Sequence, residues 1–284
     1  MRTSRIRARL DNNQVVRIAC LYYPTMSMPA HAAHAHFDAL WLDAEHNTWE
    51  RREIQRMIAL HHLANIDCMV RTGSRNPNDL YRLLEDGASA LLIPFVNSRQ
   101  EAQALVNATK FPPVGHRGVD GAGLDNSFFL RGRDNGYFDI ANRETLLIVQ
   151  IESCEALEAV DEIASVPGLD GLFIGPGDLA LRLGCPMDWG EPKMQKAQAL
   201  VAAAAARHGI AWGRPSRSAA DIRSLAAAGA RLIAHGSDFG SVAMGMTFYA
   251  NNLNEALGNA APPDAAPPSN PAKPPPPPPP AGDA

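Results

Sequence analysis

The sequence predicts an α/β chain wound as a TIM (β/α)8 barrel with a disordered proline-rich C-terminal tail. Three observations carry this reading. Eight short apolar runs recur along the chain. Helix-like runs with one broad apolar face lie between them. The spacing from one apolar run to the next is mostly about 20 to 30 residues, which suits strands alternating with crossover helices. A doubly wound sheet is the alternative, but the first strand–helix turn carries no G-x-G-x-x-G.

The strand runs, in order, are "RIACLY" from Arg17, "ALWLD" from Ala39, "DCMVR" from Asp67 and "ALLIPF" from Ala90. They continue with "LLIVQIE" from Leu146, "GLFIG" from Gly171, "IAWG" from Ile210 and "RLIAHGS" from Arg231. Each is too short for a helix and too continuous for a half-exposed strand, so buried parallel strands are expected. The helical runs include "WERREIQRMIALHHLA", "NDLYRLLEDGA", "SRQEAQALVNAT", "CEALEAVDEIASV", "KAQALVAAAAARHG" and "SAADIRSLAAAGA". Several end in Gly, as helices commonly do. The long gap from Val96 to Leu146 holds an aromatic, Gly-rich insert. The pattern stops near Leu257, which sets the barrel domain at 1–257. The segment 258–284 is proline-rich, with almost no large apolar residue, and reads as an extended polyproline II tail without a core.

Composition narrows the function classes. A length of 284 residues with 46% hydrophobic content fills one large α/β domain. The net charge of −4 supplies no global basic field for nucleic acid or an anionic membrane. Cys20, Cys68, Cys154 and Cys185 form no C-x-x-C pair and read as reduced packing residues of a cytoplasmic protein. The basic start "MRTSRIRARLDNNQ" leads into no signal-type apolar region, and no stretch approaches a membrane span.

A TIM barrel builds its active site where the strands end. Here Asp43, Glu45 and His46 follow the second strand, Arg71 ends the third and Pro94 the fourth. Gln150 and Glu152 end the fifth, "GPGD" (Gly175 to Asp178) follows the sixth, and Gly236 and Ser237 end the eighth. Glu152 and Asp178 end neighbouring strands and are placed to share a hard divalent cation such as Mg²⁺ or Mn²⁺. Free N–H groups near Gly177 suit a substrate carboxylate. Arg71 suits a carboxylate or a developing enolate oxygen, and His46 suits proton transfer. The bland readings are an N-cap for Asp178, a surface salt bridge for Glu152, an ion pair for Arg71 and a loop position for His46. Taken together at one rim, the functional reading is favoured. None of Lys110, Lys193, Lys196 and Lys273 ends a strand, so an imine mechanism lacks its lysine. His31 and His34 in "HAAHAHF" sit one helical turn apart, but no carboxylate lies beside them and a solvated helix face is the better reading.

The blocks "FDALWLDAEH", "MVR", "LLEDGASALLIPFV", "KFPPVGHRG", "VQIES", "VDEIASVPGLDGLFIGPGDLALRLG" and "AHGSDFG" carry a resemblance to the HpcH/HpaI aldolase family. It spans roughly Arg17 to Leu253. The resemblance implies a metal-dependent aldolase that reversibly cleaves a 4-hydroxy-2-oxo acid to pyruvate, or a related 2-keto acid, and an aldehyde. It implies His46 as catalytic base, Arg71 as the pyruvate-binding arginine, and Gln150 in contact with the keto acid. Glu152 and Asp178 become the metal ligands for Mg²⁺, Mn²⁺ or Co²⁺, and the Gly177 backbone binds the pyruvate carboxylate. Glu85 falls where the family has an aspartate partnering the histidine. The family also implies a homo-oligomer, commonly a hexamer, with the last helix exchanged between subunits. Several positions depart from the family: His36 before "FD", Asn47 to Trp49 after "EH", "RTGSRNP" after Arg71, and the insert from Val119 to Glu144. The pyruvate half transfers and the aldehyde half does not. The alternatives are a related enolate-forming lyase or decarboxylase, and a non-catalytic barrel whose tail recruits partners.

Overall fold

The computed structural model describes residues 2–130 and 136–258. The expected tail therefore lies, apart from Gly258, outside the described residues. Eight parallel strands close into a barrel in chain order: β1 (Val16–Leu21), β2 (Ala39–Asp43), β3 (Asp67–Arg71), β4 (Ala90–Ile93), β5 (Leu146–Ile151), β6 (Gly171–Ile174), β7 (Ala211–Pro215) and β8 (Leu232–Ser237). The expected strand runs all appear, with ends shifted by one or two residues. The helices are α1 (Arg5–Asp11), α2 (Met28–His34), α3 (Arg51–Leu63), α4 (Pro77–Glu85), α5 (Arg99–Thr109), α6 (Tyr137–Glu144), α7 (Cys154–Glu158), α8 (Val160–Ala164), α9 (Pro176–Arg182), α10 (Pro192–His208), α11 (Ala219–Ala227) and α12 (Asp238–Leu257). Residues up to Phe239 form one compact unit and those from Gly240 a second, which carries the rest of α12. No helix among the described residues is long and apolar enough to cross a membrane.

Local chemistry sets the helix starts. Ser98, Ser153 and Ser218 each accept a backbone N–H in the first turn of α5, α7 and α11, and Asn76 does the same for α4. Pro77, Pro176 and Pro192 stand in the first turn, where the missing N–H costs nothing. Two helices were not legible as such. In α1, Ser4 accepts from Arg7 N and turns the basic N-terminal segment into a short helix. In α6, part of the insert packs Tyr137 and Ala141 against Phe111.

Register positions the rim. Ala39 pairs with Ile18 and with Asp67, and Asp43 pairs with Arg71. Side chains alternate along a strand, so one parity lines the barrel and the other meets the helices. The inner set includes Ile18, Cys20, Trp41, Met69, Leu92, Ile148 and Phe173. Ile6 of α1 joins this set and is fully buried, so α1 closes the end of the barrel where the strands begin. Asp67 anchors that plug: it accepts Ser4 Oγ at 2.6 Å and Ile6 N at 2.8 Å, and it pairs with Arg2. Between β7 and β8 the backbones approach so closely that a Cβ on Gly213 would lie 1.7 Å from Leu232 O. Any side chain there would separate the two strands.

His61 on α3 is fully buried and donates Nδ1–H to Met57 O at 2.6 Å. Burial lowers its pKa from 6.5 to about 4. The unfolded chain therefore binds the proton more readily between these two values. Stability should be full above pH 6.5 and should fall by roughly 3 kcal/mol as the pH drops to 4. In His61→Leu that part of the slope should disappear. Denaturant unfolding across the window measures this, and an unchanged slope in the variant would contradict it.

Candidate functional site

Arg71, the last residue of β3, is a buried charge at the rim where the strands end. Its Nε donates to Asp43 Oδ1 at 2.8 Å and its Nη2 to Asp43 Oδ2 at 2.7 Å, a two-point pair made possible by their matched register. The guanidinium lies 4.7 Å above the Trp41 ring, which is packed edge-on against Phe173. Burial opposes the Arg71 charge, but the hydrogen bonds and charge of Asp43 outweigh it and hold the pKa above its ordinary value. Glu45 Oε2 lies 3.2 Å from Arg71 Nε on one side and 3.6 Å from His46 Nε2 on the other. Asp43 is thus a structural partner of Arg71, and Glu45 bridges Arg71 and His46.

Glu152 is buried, which removes the surface salt bridge as an account of it. Its Oε1 accepts Phe95 N–H at 2.8 Å and its Oε2 accepts Gln150 Nε2 at 3.0 Å. Burial pushes its pKa up to about 7; the Phe95 hydrogen bond and the Arg71 charge oppose this, while Glu45 and Asp178 add to it. Glu45 and Asp178 therefore act on Glu152 as neighbouring negative charges. Two features make room for Glu152. Phe95 adopts φ 52°, a left-handed backbone that costs a non-glycine residue about 1–2 kcal/mol, and this aims its N–H inward. A Cβ on Gly175 would lie 1.9 Å from Glu152 Oε2, so only glycine fits where β6 leads into α9. Gln150 is buried as well, and its Oε1 has no hydrogen-bond partner among the described residues.

Gly177 and Asp178 stand in the first turn of α9, where backbone N–H groups lack helical partners. A Cβ on Gly177 would meet nothing within 4 Å, so that turn faces open space. His46 is exposed on the loop after β2. Glu85 is not brought to His46 within the chain. It is the last residue of α4, and a helix that starts at the strand-end rim finishes at the opposite one. Its carboxyl is raised by burial, eased by Arg117 and raised further by Asp125, Asp120 and Asp86. The carboxylate beside His46 is Glu45 instead. Among the described residues no set of three or more His, Cys, Asp and Glu side chains is arranged to hold a metal ion. A cation held here would rest on the Glu152 and Asp178 pair, with other oxygens completing its shell. Lys110 is buried away from the rim, donating to Asn142 O, Thr145 O and Asp170, and Lys193 donates to Leu183 O.

The sequence reading missed three supports of the site. Phe95 looks like one more apolar residue until its φ is known. Asp238 accepts Tyr22 N–H at 3.0 Å and Tyr23 N–H at 2.9 Å, fixing the end of β1. Trp41 underlies Arg71, which strand alternation could have shown, since Trp41 and Asp43 share a face of β2.

The sequence profile of the HpcH/HpaI aldolase/citrate lyase family matches residues 21–244. A 5-keto-4-deoxy-D-glucarate aldolase from Shigella dysenteriae is 38% identical over 207 residues, covering 72% of this chain and 79% of that protein. The crystal structure of an HpcH/HpaI aldolase from Desulfitobacterium hafniense has TM-score 0.83 at 26% identity, covering 89% of this chain and 98% of its own. A family member from Burkholderia cenocepacia has TM-score 0.79 at 31% identity, covering 90% of this chain and 100% of its own.

The Arg71–Asp43 pair also makes an energetic prediction. Removing one partner of a buried pair strands the other charge, at a cost of about 3–5 kcal/mol. Asp43→Ala should lose stability on that scale in chemical denaturation. A loss under about 1 kcal/mol would mean that water or Glu45 already satisfies Arg71.

Proposed function

The chain belongs to the HpcH/HpaI aldolase/citrate lyase family, and we propose that it is a metal-dependent aldolase. It is a carbon–carbon lyase that reversibly cleaves a 4-hydroxy-2-oxo acid to pyruvate, or a related 2-keto acid, and an aldehyde. The observation that carries this reading is the charge balance at the rim. Arg71 is matched by Asp43 and shared with Glu45, while Glu152, on which Asp178 acts as a further negative charge, meets no cationic side chain within 4.0 Å among the described residues. The oxygens of Glu152 and Asp178 are hard donors that fit Mg²⁺, Mn²⁺ or Co²⁺. When bound, such an ion supplies Lewis-acid stabilisation of negative charge on the substrate's oxygens.

The chain's own residues do the rest. The first-turn N–H groups at Gly177 hold the substrate carboxylate, and Gln150 contacts the keto acid. Arg71, pinned by Asp43, keeps donors free for the keto oxygen and meets the charge that develops there. His46 takes the proton from the 4-hydroxyl group. The C3–C4 bond then breaks, the aldehyde carbonyl forms, and the electron pair passes into the enolate beside Arg71. Protonation at C3 yields pyruvate. Glu45 is the carboxylate placed to orient His46 within one chain; Glu85 can partner His46 only from a second copy. The reading includes a homo-oligomer in the cytoplasm, hexameric as the family resemblance implies, and light scattering reads its copy number. The exposed Val242, Met246 and Tyr249 of α12 support a contact with another copy.

Exhaustive chelation with EDTA should abolish pyruvate release from 4-hydroxy-2-oxo acids, and Mg²⁺, Mn²⁺ or Co²⁺ should restore it. Borohydride added with pyruvate should leave every lysine unmodified in the mass spectrum. A chain ending at Gly258 should behave the same, since activity is assigned to residues 1–257 and none to the tail at 258–284. Full activity after chelation, or a pyruvyl-lysine adduct, would overturn the mechanism.

A further inference from the structure

We propose that the closed end of the barrel, opposite the mouth, carries a second ligand site. It is built around Arg231 and Arg7 and takes a small phosphate-bearing molecule. The site goes beyond the aldolase reading and does not depend on it.

A cavity of about 300 Å³ lies between α1 and the starts of β6, β7 and β8. That volume is at the small end of the range for ligand sites. Arg7 and Asp11 of α1, Asn13 in the turn after it, Asp170 before β6 and Arg231 before β8 line it. Asp170 pairs with Arg7, and its Oδ2 accepts Lys110 Nζ at 2.9 Å and Leu147 N–H at 2.8 Å. One carboxylate thus serves two cations. Among the described residues Arg231 has no carboxylate within 4.0 Å, and the exposed Asp11 forms no ion pair at that distance. Arg7, Lys110 and Arg231 therefore stand against Asp170 and an unengaged Asp11. Nearby arginines with purely structural tasks are matched, Arg2 by Asp67, and Arg9 and Arg17 by Asp38.

Neutral acceptors hold Arg231 instead. Its Nε donates to Asn13 Oδ1 at 2.7 Å, and its Nη1 donates to Ala230 O at 2.9 Å and Ala226 O at 3.2 Å. These bonds fix the guanidinium plane and leave Nη2 unspent among the described residues. Asn13 follows α1 in the left-handed region, at φ 52°, which asparagine tolerates better than most residues. Its amide oxygen serves Arg231, so its Nδ2 donors are unspent as well. Arg7 donates Nε to Arg143 O at 2.8 Å and Nη2 to Asp170, and keeps Nη1. Donors from α1, from the turn after it and from the start of β8 thus border one cavity. A phosphate accepts from several donors at once and brings the negative charge that Arg231 lacks. Bound there, it joins α1, the plug of the barrel, to β8.

The test is titration calorimetry of the full chain with glycerol 3-phosphate and with inorganic phosphate, in EDTA so that no metal draws phosphate to the mouth. Wild type should bind each probe in a single class of sites. A tighter Kd for glycerol 3-phosphate marks an organic phosphate as the ligand, and equal values mark the free ion. Arg231→Gln should weaken both by about tenfold or more, the loss expected for a charge-assisted hydrogen bond. Arg231→Lys should recover part of the affinity. Asn13→Gly keeps the left-handed turn while removing the amide, and should weaken both probes too. Glycerol 3-phosphate should also raise the melting temperature of wild type and leave that of Arg231→Gln unchanged. No binding of either probe at about 10 mM, or wild-type affinity in Arg231→Gln, would overturn the proposal.

Discussion

The mouth of the barrel is organised by one buried pair, Arg71 and Asp43. A guanidinium taken out of water at the end of a strand needs its charge and its donors met nearby, or it costs several kcal/mol. Asp43 meets them through two hydrogen bonds, and the Trp41 ring meets the remaining face. Glu45 shares the same guanidinium at 3.2 Å. Burial then pushes the Glu152 carboxyl up to about 7, and Glu45 and Asp178 add to that rise. A site in that condition binds a proton or a divalent cation. The proposed chemistry follows from the second choice.

The fold makes the imbalance durable. In-register strands place Asp43 against Arg71, and the end of β5 brings Gln150 within 3.0 Å of Glu152. Gly175 lets Glu152 lie against the backbone of the next strand, and the left-handed turn at Phe95 supplies a donor that keeps its carboxylate fixed. Asp238 pins the end of β1 on the far side. The other end of the barrel is closed by α1 through Ile6 and Asp67, so the rim is the open mouth.

The strands were legible because buried parallel strands are short and continuously apolar, and their order follows from a single repeating unit. The strand-end rule also found Arg71, Gln150, Glu152 and Asp178, which the structure gathers at one rim. What the sequence concealed depends on quantities that spacing does not carry. Spacing shows Asp43 and Glu45 only as two carboxylates after the second strand, and which of them meets Arg71 depends on register between strands. Phe95 acts through a backbone angle, and its neighbours in "IPFV" give no sign of it. Glu85 is assigned by resemblance to a motif, and within a single chain the direction of α4 leads it away from His46, where Glu45 is the neighbouring carboxylate. The helix α1 is too short to show a periodicity, so only its cap and one buried isoleucine define it.

Glu152 and Asp178 at the rim are proposed to form a divalent-cation site. Mn²⁺ titration followed by electron paramagnetic resonance tests it without requiring a substrate. Wild type should bind one Mn²⁺ per chain in a single class of sites, and Glu152→Gln and Asp178→Asn should each lose that class while remaining folded by circular dichroism. Wild-type binding in both variants would contradict the account.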